Sequence, residues 1–152
     1  MKKMEKEPFF NNTIFIFTAD HVLGRFEKVE FPEDYHVPLL IYSPLFKNQK
    51  EYTYTTNHVD LPATILDIAG LYDNNTQYIG HSVFCKDNKS YSIVHSYGTA
   101  KIIQNNKWLT HSFANTLDTL PKDMSDNEKN YLSKILLSYY QESYNIMVGK
   151  KR

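Results

Sequence analysis

A carboxylate and an imidazole stand side by side at Asp20 and His21, directly after the apolar run of residues 14–17. An aspartate oxygen and a histidine nitrogen suit one divalent cation, zinc or manganese above all. The run has no apolar–polar alternation and is β-branched or aromatic throughout, which is typical of a strand buried on both faces of a parallel sheet. Ligands of open α/β sheets bind beyond the carboxyl ends of such strands. We therefore predict a metal site here; the alternative is a helix cap followed by a solvated loop.

The next apolar segment predicts a second short strand. His36 lies just ahead of it, and prolines stand at residues 38 and 44, where they do not interrupt the strand interior. His36 is interpreted either as a rim histidine with satisfied hydrogen bonds or as a residue of the site.

Residues 60–70 predict a helix that packs on the sheet. Asp60 suits the N-cap, Pro62 suits the first turn, and Gly70 suits an end in the left-handed conformation. The apolar stripe expected to face the sheet consists of Leu61, Ile65, Ile68 and Ala69. His58, just before the helix, either points back toward the crevice or packs against the helix entry, and the second is the expectation.

The second half of the chain predicts a β-hairpin and a long helix. Residues 100–110 form two apolar runs around an Asn-Asn pair, and asparagine tolerates the positive φ of a two-residue turn. Trp108 is interpreted as a core anchor. Ser125 and Glu128 have capping-box spacing, and apolar residues at helical spacing extend the predicted C-terminal helix over residues 126–148.

Length and charge limit the class of protein. The chain has 152 residues, about one domain, and its 17 basic and 17 acidic residues give no indication of a nucleic-acid partner. Cys85 is the only cysteine, which excludes an internal disulfide, and it is expected to be an ordinary buried thiol. The sequence contains no apolar run of the roughly 18 residues that a membrane-spanning helix needs, and its first residues do not form a signal peptide. We expect a chain that starts in mid-domain.

Four segments in order resemble the C-terminal part of the sulfatase family, within the alkaline phosphatase superfamily. They read NTIFIFTADH (residues 12–21), HVPLLIYSP (36–44), HVDLPATILDIAG (58–70) and GHSVF (80–84). The resemblance is greatest to the bacterial branch that includes lipoteichoic acid synthase-like phosphoglycerol transferases. The predicted hairpin resembles the late strands of the same domain.

The resemblance implies an α/β fold, the C-terminal portion of an alkaline phosphatase-like sandwich, with a β-hairpin and a long C-terminal helix. Asp20 and His21 would ligate one divalent metal ion, which is zinc, manganese, magnesium or calcium. This ion would polarise a sulfate or phosphate ester and lower the pKa of the attacking hydroxyl. His36 would contact the anionic group of the substrate. Relatives of the phosphoglycerol transferase type are often anchored in the cytoplasmic membrane and act outside it, whereas this chain has no export signal of its own.

Two departures limit what the resemblance implies. Val22 follows the Asp-His pair, where the family usually has glycine. The family's nucleophile, a threonine or a cysteine converted to formylglycine, lies N-terminal of this strand, as does its first acidic metal ligand. No catalytic nucleophile is therefore assigned, since Thr18 belongs to the strand and Cys85 lacks the Cys-x-Pro-x-Arg context.

We therefore expect residues 1–152 to be a single partial sulfatase-like domain, inactive alone, whose parent enzyme acts on sulfate or phosphate esters of the phosphoglycerol type. The alternative is a non-catalytic remnant, or one subunit of a split enzyme with an upstream companion chain, that serves as a binding or structural module. A phosphomutase of the same superfamily is a third hypothesis, and it fits residues 59–70 less well.

Overall fold

The computed structural model describes residues 2–22, 31–73, 78–85, 90–96 and 98–149. The chain divides into two compact units, Met1–Tyr52 and Thr53–Arg152, which are described in turn. Two sheets and a long C-terminal helix confirm the predicted mixed α/β class. The assignment of the whole chain to one partial sulfatase-like domain stays a prediction. Within the described ranges, no helix combines the length and the apolar character needed to cross a membrane.

The first unit is built on a two-stranded antiparallel sheet. Strand β1 is Phe15–Thr18 and strand β2 is Leu39–Tyr42, and their register pairs Phe15 with Tyr42 and Thr18 with Leu39. Three short 3-10 helices accompany the sheet, at Met4–Lys6, Phe10–Asn12 and Glu33–Tyr35.

The prediction that β1 lies in a parallel sheet and is buried on both faces is wrong for this structure. Its partner is antiparallel, and its residues are half-buried or exposed. The buried ring of Phe10 packs on one end of the sheet, with ring centroids 5.6 Å from Phe15 and 6.3 Å from Tyr42. At the other end Phe17 and Leu40, which pair across the strands, remain exposed. The continuous apolar run is typical of a buried strand, but in the described part of this unit side chains pack on only one end of the sheet.

The second unit contains the larger sheet and both α-helices. Its elements, in chain order, are α1 (Asp60–Ile68), β3 (Ser92–Ser96), β4 (Thr99–Gln104), β5 (Lys107–His111), β6 (Thr116–Leu120) and α2 (Asp126–Met147). The four strands form an antiparallel meander in the order β3-β4-β5-β6. Short connections between neighbouring antiparallel strands are sufficient for this topology.

The predicted hairpin is confirmed as β4 and β5. Asn105 and Asn106 form its turn with φ of 50° and 61°, the left-handed values that a two-residue type I′ turn requires at both central residues. Trp108 is not the core anchor that the sequence predicted. It is half-buried and alternates with the fully buried Leu109, so it lies on the other face of the sheet, where the Lys101 ammonium is 5.9 Å from the centre of its ring.

The core of the second unit lies between one face of the sheet and helix α2. Its buried members are Ile93, Ala100, Ile102, Leu109, Met124, Leu132 and Leu136. The capping box predicted for α2 is confirmed, because the Ser125 hydroxyl accepts from the Glu128 N–H and the Glu128 carboxylate accepts from the Ser125 N–H. The helix ends at Met147, one residue before the predicted end, and Gly149 follows with φ of +69°.

Helix α1 has the predicted extent but presents a different face to the unit. Its end is confirmed: Gly70 has φ of +68°, and the Leu71 N–H donates to the Leu66 carbonyl, which is the closing bond of a Schellman motif. The predicted stripe is wrong, because Ile65 is 49% exposed while Ala63 and Thr64 are fully buried. The buried face is therefore set by what packs on it, and this is the segment around residues 80–83.

Candidate functional site

Asp20 and His21 follow the end of β1 and lie close together. Their side chains are 89% and 72% exposed, and the Nε2 atom of His21 lies 3.6 Å from the Oδ2 atom of Asp20. Two polar side chains in this position cost little to keep hydrated, so they are available to an incoming ion. The structure thus places the two predicted ligands side by side at the surface.

Hydrogen bonds hold the other polar atoms of this pair. The His21 N–H donates to Oδ1 of Asp20 at 3.0 Å, which leaves Oδ2 as the outward oxygen. The Nδ1 atom of His21 lies 2.7 Å from the carbonyl oxygen of Val22. In the tautomer that donates from Nδ1, Nε2 carries the free lone pair, and metal-bound histidines are commonly oriented by such a bond.

The separation of the two outward atoms fits a shared cation. Ligand atoms about 2.1 Å from a tetrahedral ion lie about 3.4 Å apart, close to the 3.6 Å between Nε2 of His21 and Oδ2 of Asp20. In the part of the chain that the structure describes, no group of three His, Cys, Asp or Glu side chains is arranged to hold a metal. The pair can therefore supply two ligands, and the assignment of both residues as ligands stays a prediction.

His36 is not brought into one metal-binding group with the pair. It is exposed, its N–H donates to the Glu33 carbonyl at 3.3 Å, and two residues separate it from the start of β2. Because Thr18 pairs with Leu39, His36 precedes β2 at the same end of the sheet at which Asp20 follows β1. Its role as a substrate contact is untested and also stays a prediction.

Sequence reasoning did not find the pocket in the second unit. This cavity of about 110 Å³ has thirteen described lining residues: Tyr54, Thr56, Asn57, Val59, Asp60, Ile79, His81, Ser82, Val83, Cys85, Ser90, Tyr91 and Tyr139. We call it the tyrosine pocket. It combines a carboxylate, an imidazole, a thiol and three phenols, although Asp60 had been interpreted only as a helix cap.

Asp60 is the carboxylate among the described lining residues of the tyrosine pocket, and it is not the N-cap. Val59 occupies the cap position, and Asp60 is the first residue of α1. The Asp60 side chain is nonetheless buried, and its two oxygens accept backbone N–H groups from Asn57 at 2.8 Å and from His81 at 3.0 Å. Burial raises the pKa of Asp60, and the two backbone hydrogen bonds oppose that rise only partly.

The Asp60 charge contributes to the raised pKa of two phenols of the pocket. Burial raises the pKa of Tyr91, and the nearby Asp60 carboxylate raises it further. The pKa of Tyr139, on helix α2, is raised by the same two causes in the same order. Both phenols line the same pocket as Asp60, and a negative charge disfavours a second negative charge nearby.

The GHSVF segment forms one wall of the pocket by docking on α1. A Cβ on Gly80 would lie 1.9 Å from the Val59 carbonyl oxygen, so only glycine fits this approach. The Val83 N–H donates to the buried Thr64 hydroxyl at 3.0 Å, and the Ser82 hydroxyl donates to the Asp67 carboxylate. The sequence segment that resembled a family motif is thus a packing element here.

Two remaining predictions concern residues of the second unit. Cys85 was expected to be buried, but its side chain is exposed at the pocket, after a turn in which the Cys85 N–H donates to the Ser82 carbonyl at 2.9 Å. His58 is exposed before α1, and its carbonyl accepts from the Leu61 N–H at 3.1 Å. That its side chain packs against the helix entry stays a prediction.

The comparison with known families gives one match. Residues 1–71 match the model of the Sulfatase family. No curated protein and no solved structure matches the chain. The matched range is less than half of the 152 residues, and it contains Asp20, His21 and His36, together with helix α1. It supports a relationship to the sulfatases of the alkaline phosphatase superfamily.

Proposed function

We propose that this chain is the C-terminal part of a metal-dependent, sulfatase-like hydrolase or transferase that acts on sulfate or phosphate esters, including the phosphoglycerol type. One observation carries the proposal. The range that matches the Sulfatase family contains an Asp-His pair at the end of a strand, with Nε2 of His21 and Oδ2 of Asp20 3.6 Å apart. Adjacent nitrogen and oxygen ligands of this kind suit a single divalent ion.

Each residue of the pair has a definite task in this proposal. Oδ2 of Asp20 and Nε2 of His21 would hold the divalent ion, and the Val22 carbonyl would keep the His21 proton on Nδ1. When bound, such an ion polarises the ester oxygen and stabilises developing negative charge. His36 would donate a hydrogen bond to the anionic group of the substrate from the same end of the sheet.

The isolated 152 residues should bind metal weakly and should not turn over an ester. Two ligands hold an ion less firmly than the three or four of a complete site, and among the described residues no third ligand is grouped with the pair. No nucleophile is assigned from the sequence either. The missing groups would come from another part of the enzyme or from a companion chain. The alternative is a non-catalytic binding or structural module, and an incomplete site of two ligands is compatible with that alternative too.

Metal binding tests the pair directly. Titration calorimetry with Zn²⁺ and Mn²⁺ should give weak binding to the chain, and Asp20→Ala and His21→Ala should each reduce the affinity about tenfold or more. A matched control is the double variant His58→Ala/Asp123→Ala, which removes an exposed histidine and an exposed aspartate elsewhere and should bind as the parent chain does. Equal affinity in all variants would exclude Asp20 and His21 as ligands.

Activity separates the enzyme proposal from the non-catalytic module. The chain alone should not hydrolyse p-nitrophenyl sulfate or p-nitrophenyl phosphate. Fusion to the polypeptide encoded upstream should produce metal-dependent hydrolysis that Asp20→Ala abolishes. If the fusion folds and binds metal but remains inactive, the module is the correct interpretation. Robust hydrolysis by the 152 residues alone, lost in Asp20→Ala, would contradict the expected inactivity.

A further inference from the structure

We propose that the tyrosine pocket of the second unit binds a small organic ammonium group. Its lining residues belong to the second unit, whereas Asp20 and His21 belong to the first. The inference is therefore independent of the proposed ester chemistry. It depends on the charge of the pocket, on its aromatic walls and on its size.

The described lining of the pocket carries one carboxylate, Asp60, and one imidazole, His81. Asp60 is the only carboxylate among the thirteen described lining residues, and these include no lysine and no arginine. The Asp60 carboxylate is buried and receives two backbone N–H groups, and burial raises its pKa more than these N–H groups and the charge of His81 lower it. A buried carboxylate is stabilised by a cation, so a positively charged ligand would offset the cost of its burial.

The walls of the pocket are aromatic. Tyr54, Tyr91 and Tyr139 line it, and the Tyr54 hydroxyl donates to the Val83 carbonyl, which fixes the orientation of that ring. Aromatic faces attract ammonium groups, and the attraction increases where water is excluded. Tyr91 and Tyr139 line the same pocket as Asp60, and the Asp60 charge adds to the effect of burial in raising the pKa of both phenols. Rings and carboxylate thus converge on one space.

Other ligand classes fit less well. An anion would meet the Asp60 carboxylate, and the N–H groups of Asn57 and His81 that point toward it already donate to Asp60. A metal ion would find no described group of three ionisable ligands. A purely apolar guest would make no electrostatic interaction with the Asp60 carboxylate. The organic cation is the class that satisfies both the charge and the rings.

The size of the pocket sets an upper limit on the ligand. A cavity of 150 Å³ accepts benzene, so about 110 Å³ accommodates a slightly smaller group such as methylammonium or trimethylammonium. His81 and Cys85 are exposed at the pocket. A longer ligand would leave past these residues and insert only its ammonium end.

Three probes of similar size decide the ligand class. Trimethylammonium should bind the full chain, as measured by chemical-shift titration, about tenfold or more tightly than the neutral tert-butanol. Sulfate should not compete. Because Cys85 is the only cysteine, its alkylation by iodoacetamide gives a second readout, and trimethylammonium should slow it. The proposal would be overturned if tert-butanol bound as tightly as trimethylammonium or if sulfate displaced trimethylammonium. It would also be overturned if trimethylammonium did not bind at millimolar concentrations, or if it bound without slowing the alkylation of Cys85.

Variants test the two parts of the recognition. Tyr139→Leu removes a wall but keeps an apolar side chain, and it should weaken trimethylammonium binding about fivefold or more. Tyr144→Leu, on the same helix but outside the pocket, is the matched control and should bind normally. Asp60→Asn should weaken binding by more than Tyr139→Leu does. If Asp60→Asn fails to fold, Tyr139→Leu still tests the proposal, because an unchanged affinity of Tyr139→Leu for trimethylammonium would contradict it.

Discussion

The carboxylate of Asp60 accepts a hydrogen bond from the backbone N–H of His81 at 3.0 Å, across 21 residues of chain. Its other oxygen accepts from the N–H of Asn57, whose side-chain amide in turn donates to the Ile93 carbonyl at 3.0 Å. The Asp60 side chain thus joins the start of α1 to the GHSVF segment, and Asn57 links them to the first strand of the larger sheet. The tyrosine pocket exists because these three segments meet around Asp60.

The Thr64 hydroxyl is the second point of attachment between α1 and the GHSVF segment. It accepts from the Val83 N–H at 3.0 Å and donates to the Asp60 carbonyl at 2.7 Å, and Thr64 is fully buried. Thr64→Val keeps the shape but leaves the Val83 N–H without its acceptor, so we expect a loss of about 1–3 kcal/mol in the free energy of unfolding in urea.

The control for this substitution is Thr116→Val. Thr116 is exposed in β6, so its replacement should change the free energy of unfolding by less than about 0.5 kcal/mol. Equal effects of the two substitutions would show that the Thr64 hydroxyl does not hold the GHSVF segment.

An alanine at position 80 should clash with the backbone, whereas an alanine at position 98 should not. A Cβ on Gly80 would lie 1.9 Å from the Val59 carbonyl oxygen and 2.7 Å from the Asp60 nitrogen, both backbone atoms that cannot move aside cheaply. We expect Gly80→Ala to lower the free energy of unfolding by more than about 3 kcal/mol. Gly98 has open space around it but φ of +77°, so Gly98→Ala should cost only about 1 kcal/mol. Thermal denaturation of both variants distinguishes a clash from backbone strain.

Locally encoded features were predicted correctly from the sequence. The capping box of Ser125 and Glu128 and the turn at Asn105 and Asn106 depend on residues within a few positions of each other. The left-handed end of α1 at Gly70 is of the same kind. In each case the side chain or backbone preference that forms the feature is present in the segment itself, so the pattern is sufficient.

Features set by distant partners were predicted less well. The exposure of Ile65 follows from the docking of residues 80–83 on the opposite face of α1, which the helical spacing alone does not contain. The antiparallel partner of β1 and the position of Trp108 away from the core likewise depend on sheet pairing. For the candidate site, the sequence predicted the closeness of Asp20 and His21, but it gave no signal that Asp60 and Tyr139 line one pocket.

Leu136 anchors α2 on the larger sheet. It is fully buried in the core cluster, whereas its neighbour Leu137 is 39% exposed. Leu136→Ala should lower the free energy of unfolding by about 2–5 kcal/mol, because it removes buried methyl groups and leaves a cavity. Leu137→Ala is the matched control and should cost less than about 1 kcal/mol. Urea denaturation followed by far-ultraviolet circular dichroism measures both, and similar losses would contradict the assigned helix face.

The start of α2 should make stability depend on pH at the acidic end of the range. The Lys107 ammonium beside Glu128 lowers the pKa of that carboxyl from 4.5 to about 2, with help from the Ser125 hydroxyl and the Ser125 N–H. A carboxyl whose pKa is lower in the folded than in the unfolded chain stabilises the fold above the unfolded value. This contribution disappears as pH falls through the window from about 4.5 to about 2.

Replacement of Glu128 should therefore destabilise the fold at neutral pH, and the loss of stability should be smaller in acid. Glu128→Gln should lower the melting temperature at pH 7, and the difference from the parent chain should shrink as pH falls through the same window. Lys107→Met should have the same pH-dependent effect, because it removes the largest cause of the lowered pKa of Glu128. Lys134→Met, at an exposed position of the same helix, controls for the loss of one positive charge and should leave the pH dependence intact. A pH-independent difference between Glu128→Gln and the parent chain would show that the ion pair is not the source of the effect.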